Sequence, residues 1–210
     1  MTHPVIGKLI GTVAAAVLAA ALSAGAALAT ATVGQPAPAF TATDSLGQTV
    51  RLDAFRGKTV VLEWSNDGCP YVRKHYGAGN MQALQKQLTA KGIVWLTVIS
   101  SAPGTQGYVS GLEADELTRT RGATPTAVLL DPKGTLGRLY DARTTPHMYI
   151  VTPDGRLAYK GAIDDKPTSR PDDIKTAVNY VTGALAQLAA GKPVDPAVTR
   201  PYGCSVKYAD

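Results

Sequence analysis

The chain has 210 residues, with 21 Lys and Arg against 16 Asp and Glu, a formal net charge of +5 and only two cysteines. Its basic residues are scattered and form no stripe interleaved with aromatics, which argues against nucleic-acid binding. Its length, less an N-terminal leader, suits one domain with a full core.

The N-terminus reads as a secretory signal peptide. Lys8 supplies a small positive region, Leu9 to Leu28 is apolar, and Ala27-Leu28-Ala29 offers a small-residue cleavage site, with cleavage expected after Ala29 or Ala31. The stretch is rich in Ala, Gly and Ser, which favours a cleaved leader over a retained anchor. The lack of an Arg-Arg pair favours the Sec route. No other segment suits a bilayer span, so no stable membrane insertion is expected after cleavage. The expected organisation is a signal peptide at 1–29, one domain at 30–190 and an irregular Pro-rich tail at 191–210 that carries Cys204. The expected location is periplasmic or secreted, where disulfides form and persist, and an even cysteine count fits a single bridge.

Residues 40–52 read as a hairpin with its turn at Ser45-Leu46-Gly47-Gln48, followed by a short helical turn at 53–58. Thr59 to Trp64 is almost wholly apolar, as in a strand buried on both faces. A helix is predicted to start at Cys69-Pro70, since proline is well placed in a first helical turn. Gly77 and Gly79 interrupt it, and Asn80 is expected to cap a second helix to Ala90. Ile93 to Ile99 is a second buried strand, 113–120 a modest helix, 126–130 a third strand and 136–142 a short helix. Thr145-Pro146 leads into the strand 147–151, which a Pro-Asp-Gly turn joins to 156–160 as a hairpin. Helical spacing of apolar residues predicts a last helix from about Pro171 to Ala190, stopped by Gly191. The order implies an α/β fold with a mixed central sheet and helices on both faces. Chemistry in such sheets sits at the carboxyl ends of the parallel strands, where Cys69 falls.

Cys69 is the most informative residue. A thiol at a helix start lies beside unpaired backbone N–H groups and the positive end of the helix dipole, and both favour thiolate, the reactive form. Arg73, one turn on, is a possible cationic neighbour. Cys204 lies 135 positions further on. The two cysteines can be a redox couple, a static staple or two unrelated thiols.

The pieces Val33-Gly34-Gln35-Pro36-Ala37-Pro38-Ala39-Phe40, Asp44-Ser45-Leu46-Gly47, Leu52 to Leu62, Cys69-Pro70, Thr145-Pro146 and Pro153-Asp154-Gly155 follow one another in order. In that order and spacing, the chain over roughly 33–165 resembles the thioredoxin-fold branch that holds the alkyl hydroperoxide reductase and thiol-specific antioxidant proteins, with an N-terminal hairpin extension. The resemblance implies a thiol-dependent oxidoreductase with antioxidant relatives and Cys69 as nucleophile. Its partner would be an external thiol reductant or a disulfide or peroxide substrate, and it needs no cofactor and no metal. It makes Cys204 either a resolving thiol or a permanent tie for the tail. It places a cis proline at Pro146 opposite Cys69, and it makes the Thr145 backbone a candidate to hydrogen-bond an extended substrate strand. Glu63 sits where relatives keep a buried proton-relaying residue, against the plainer expectation of a partly exposed strand carboxylate.

The chain also departs from the pattern. Val72 stands where the second cysteine of a Cys-x-x-Cys motif would fall. Leu62 and Asn66 stand where the peroxidases carry Pro and Thr, and Thr145-Pro146 replaces their arginine before the strand. His147 and Met148 near Cys69 make a soft donor set, but the Cys-x-x-x-Cys of copper carriers is absent. Trp64 and Trp95 are expected in the core.

Overall fold

In the computed structural model, residues 1–3 and 30–209 are described, so the signal-peptide reading lies almost wholly outside the described residues. Among those described, no helix is long and apolar enough to cross a membrane.

Nine strands form. A hairpin, β1 (Thr41–Asp44) and β2 (Thr49–Arg51), precedes β3 (Val60–Trp64), β4 (Val94–Ile99) and β5 (Ala127–Leu130). The short β6 (Thr144–Thr145) follows, then β7 (His147–Val151), β8 (Leu157–Gly161) and β9 (Cys204–Ser205). Seven of them make one sheet in the order β2-β1-β5-β4-β3-β7-β8. Strands β3, β4 and β5 are parallel, while β1, β7 and β8 join antiparallel. This is the mixed thioredoxin sheet with the expected N-terminal hairpin at one edge.

The strand period of two divides the core. Val60, Leu62, Trp64, Val94, Leu96 and Val98 point to one side, with α4 (Thr135–Leu139) and Tyr140. Val61 and Trp95 point to the other, with Cys69, helices α1 (Pro70–Gly77), α2 (Asn80–Thr89) and α5 (Tyr180–Ala189). Helix α3 (Gly111–Thr120) packs Ala114 on Ile99 and Val128, and starts in a capping box between Ser110 and Glu113. Both tryptophans are fully buried, as expected of core residues.

Three local readings need correction. The predicted helix over 171–190 is split: a 3-10 segment, Pro171–Thr176, is separated from α5 by extended backbone at Ala177 and Asn179. The break has a tertiary cause, because Asp165 N–H donates to the Val178 carbonyl and the Asp165 carboxylate accepts from Val178 N–H. Asn179, not an earlier residue, caps α5 by accepting from Thr182 N–H. Asn80 is the first residue of α2 and not its cap; that position belongs to Gly79 in a left-handed conformation, and the Asn80 amide turns back to His75. The tail is not irregular throughout, because β9 pairs antiparallel with β6.

Candidate active site

Strand β3 ends at Trp64, and the turn that follows is built by Asn66. Its side chain accepts from Gly68 N–H at 2.8 Å and donates to the Gln106 carbonyl at 3.0 Å, while its carbonyl accepts from Cys69 N–H. Cys69 is the N-cap of α1, and its carbonyl accepts from Arg73 N–H to close the first turn. Its side chain is wholly buried.

The cis Thr145–Pro146 bond lies opposite. The Cys69 thiol donates to the Thr145 carbonyl at 3.1 Å. The Thr145 hydroxyl is buried with no hydrogen-bond partner. Across from Thr145, in register, stands Cys204. The tail is pinned just beyond it: Val206 N–H donates to the Arg143 carbonyl at 3.0 Å, and Ala102 N–H to the Lys207 carbonyl at 2.7 Å. The fold thus brings Cys69, Thr145, Pro146 and Cys204 together, and both cysteines are free thiols.

The two thiols differ in acidity. Burial opposes the Cys69 thiolate, but the Cys204 thiol, the backbone N–H groups of Val72 and Cys204 and the Thr145 hydroxyl outweigh it, and Cys69 lies below its ordinary value. Burial and the neighbouring Cys69 sulfur push Cys204 up to about 11. Cys69 therefore ionises first. Arg73 takes no part, because its guanidinium is exposed and donates to the Asp67 carbonyl at 2.8 Å. Val72 is fully buried one turn into α1, so the site of the missing motif cysteine is filled by core packing.

Glu63 is not a partly exposed strand carboxylate; it is fully buried beneath α1 and α2. It accepts from Tyr76 at 3.0 Å, Trp95 Nε1 at 2.9 Å, Thr97 at 3.2 Å and Gln85 at 3.3 Å. Burial still raises its pKa despite these donors. His147 is buried in β7, and burial lowers it to about 3, so it is neutral. Among the described residues no group of three or more His, Cys, Asp or Glu is placed to hold a metal ion.

Residues 33–160 match the AhpC/TSA family. The chain belongs to the AhpC/TSA family. No curated protein matches this AhpC/TSA member. Among solved structures, an uncharacterized conserved protein from Geobacillus kaustophilus is similar at 26% identity with a TM-score of 0.73, over 86% of this chain and 94% of that one. A hypothetical protein from Sinorhizobium meliloti 1021 is similar at 21% identity and TM-score 0.73, over 85% and 95%. A putative thiol:disulfide interchange protein DsbE from Chlorobium tepidum shares the fold at 23% identity and TM-score 0.50, over 62% and 85%. The chain is thus a thioredoxin-like redoxin.

Sequence reasoning missed one part of the site. Behind the thiols, Lys74, His75 and Asp164 are all buried and meet Tyr202 of the tail. Lys74 and His75 sit on α1 beside Cys69 in sequence, and two polar residues in its inward-facing turn were the available signal.

Proposed function

We propose that this redoxin is an exported thiol-disulfide oxidoreductase in which Cys69 is the nucleophile and Cys204 resolves. The observation that carries the reading is the register of Cys204 against Thr145, beside a Cys69 thiol that is the more acidic of the two. The Cys69 thiolate attacks a disulfide R–S–S–R′, forming Cys69–S–S–R and releasing R′S⁻, which takes up a proton. Cys204, as thiolate, attacks the Cys69 sulfur and expels RS⁻, which takes up the Cys204 proton. The substrate disulfide gains two electrons and the pair loses two. An external dithiol returns them by the reverse exchange. As the Cys69 thiol deprotonates, its bond to the Thr145 carbonyl is lost and the unpartnered Thr145 hydroxyl becomes a donor to the sulfur. Glu63, whose pKa burial raises, is proposed as a proton relay for the site.

A second reading has its own observation. Cys69 is fully buried and Val72 replaces the motif cysteine, as suits a structural Cys69–Cys204 tie in a binding domain. A third, peroxide reduction, would oxidise Cys69 to sulfenic acid with release of an alcohol or water, and Cys204 would then displace water to form the same bridge. One titration separates the first two. The full mature chain is equilibrated in graded thiol buffers and its free thiols are counted by alkylation and mass. A bridge between about −120 and −270 mV supports the oxidoreductase, and one below about −300 mV supports the tie. A Cys69→Ser chain whose disulfide-exchange rate matches the wild type overturns the catalytic reading.

Export is proposed with cleavage after Ala29. Ala31 is fully buried against the core and its carbonyl accepts from Lys160 Nζ at 2.9 Å, so a cut after Ala31 would remove a packed residue. N-terminal sequencing of the secreted product is expected to begin at Thr30.

A further inference from the structure

Helix α1 begins at the Cys69 sulfur and buries two polar side chains in its second turn, Lys74 and His75. Their common partner is the phenol of Tyr202, two residues before Cys204. Lys74 Nζ donates to Tyr202 Oη at 3.4 Å and to the Lys166 carbonyl at 2.8 Å, and it lies 3.5 Å from Asp164 Oδ2. Burial lowers His75 to about 4, so the ring is neutral. Asn80 Nδ2 donates to His75 Nδ1 at 2.8 Å, which assigns the ring proton to Nε2, 3.3 Å from Tyr202 Oη. The Tyr202 hydroxyl donates to Asp164 Oδ1. The phenol oxygen thus accepts twice and donates once, and its ring packs on Tyr71. Both members of the thiol pair therefore hang on one helix, Cys69 from its first turn and Cys204, through Tyr202, from its second.

We infer that Tyr202 is a positioning residue, a latch on the Lys74–Asp164–His75 cluster that holds Cys204 against Cys69 and so sets the equilibrium of the Cys69–Cys204 bridge. The inference rests on the proposed pairing of these cysteines. A closing thiol at the end of a 135-residue separation has a low local concentration unless something fixes it. Withdrawing Tyr202 also leaves the buried His75 Nε2–H without its acceptor and takes from the buried Lys74 one of its acceptors, a cost that opposes departure of the tail.

The test compares the bridge potential of the full-length wild type, Tyr202→Phe and Tyr140→Phe in glutathione buffers. Tyr140 is a control: its buried hydroxyl donates to the Pro38 carbonyl at 2.8 Å, on the opposite face of the sheet. Tyr202→Phe is expected to lower the equilibrium constant for bridge closure about tenfold, a rise of about 30 mV. Tyr140→Phe is expected to lower the melting temperature and leave the potential in place. His75→Leu, which removes one of the two donors to the phenol, gives a smaller shift in the same direction and serves if Tyr202→Phe does not fold. A Tyr202→Phe or His75→Leu potential equal to the wild type, or an equal shift in Tyr140→Phe, overturns the latch and leaves the proposed pairing intact. A wild-type chain that forms no bridge overturns both.

Discussion

Cys204 stands directly across an antiparallel pairing from Thr145, the residue whose carbonyl receives the Cys69 thiol. One residue of the cis-proline loop therefore meets both sulfur-bearing residues, by its carbonyl toward Cys69 and by backbone pairing toward Cys204.

The first expectation concerns the order of ionisation. In the reduced chain, site-resolved alkylation followed by mass is expected to show Cys69 inflecting below the ordinary thiol value of 9.0 and Cys204 at about 11. The inflection is the readout, since burial slows Cys69 at every pH. Cys204 inflecting first would contradict the assignment of nucleophile and resolver.

Restoring the motif cysteine tests the pairing from the other side. Val72 is fully buried one turn from Cys69. Val72→Cys places a thiol within the same rigid helix, and it is expected to capture Cys69 on oxidation. Cys204 then becomes available to an alkylating reagent in the oxidised chain, which a peptide map reads directly. Continued protection of Cys204 would mean that the tail strand holds it in preference to the local thiol.

Gly203 keeps the tail close. Its φ is +133°, and a Cβ there would overlap the Thr145 carbonyl. Gly203→Ala is expected to cost the reduced protein about 2 kcal/mol, in the range of left-handed backbone strain. It should also speed Cys204 alkylation in the folded state. A urea midpoint equal to the wild type would show that the strand does not need this approach.

Glu63 gives the pH dependence. Its folded pKa lies above the ordinary 4.5, so the folded state keeps a proton that the unfolded chain releases. Its stabilising share is complete below 4.5 and is lost as pH rises toward its folded value. Glu63→Gln is expected to remove that loss. Because His75 and His147 are unchanged in the pair, the difference between the two urea-stability profiles isolates Glu63. Parallel profiles above pH 4.5 would refute a raised carboxyl.

Much of the frame was legible because its signals are local. The β-branched run before Trp64, the Cys69-Pro70 helix start and the Thr145-Pro146 step each carry their meaning within a few residues. The parts that were not legible depend on distant partners. The apolar spacing from Ile174 to Leu188 is helical, yet Asp165 pulls Val178 into an extended pairing and splits the helix. Asn80 has the chemistry of a cap but is taken by His75. Glu63 reads as an exposable carboxylate until Tyr76, Gln85, Trp95 and Thr97 close over it. The Lys74–Asp164 pair spans 90 positions, and no spacing rule links them. The proline-rich tail gave no periodic signal, because what orders it is the edge at Thr144–Thr145.

The short pairing of β6 with β9 has a kinetic consequence. The edge that an incoming extended chain would occupy is already filled by the protein's own C-terminal segment, and the sulfur beneath it has no contact with solvent. On the proposed exchange chemistry, reaction with an outside partner at that edge must wait for the segment to lift. Its rate then rises with partner concentration only until lifting becomes the slow step, after which it levels at a first-order ceiling that belongs to the protein alone.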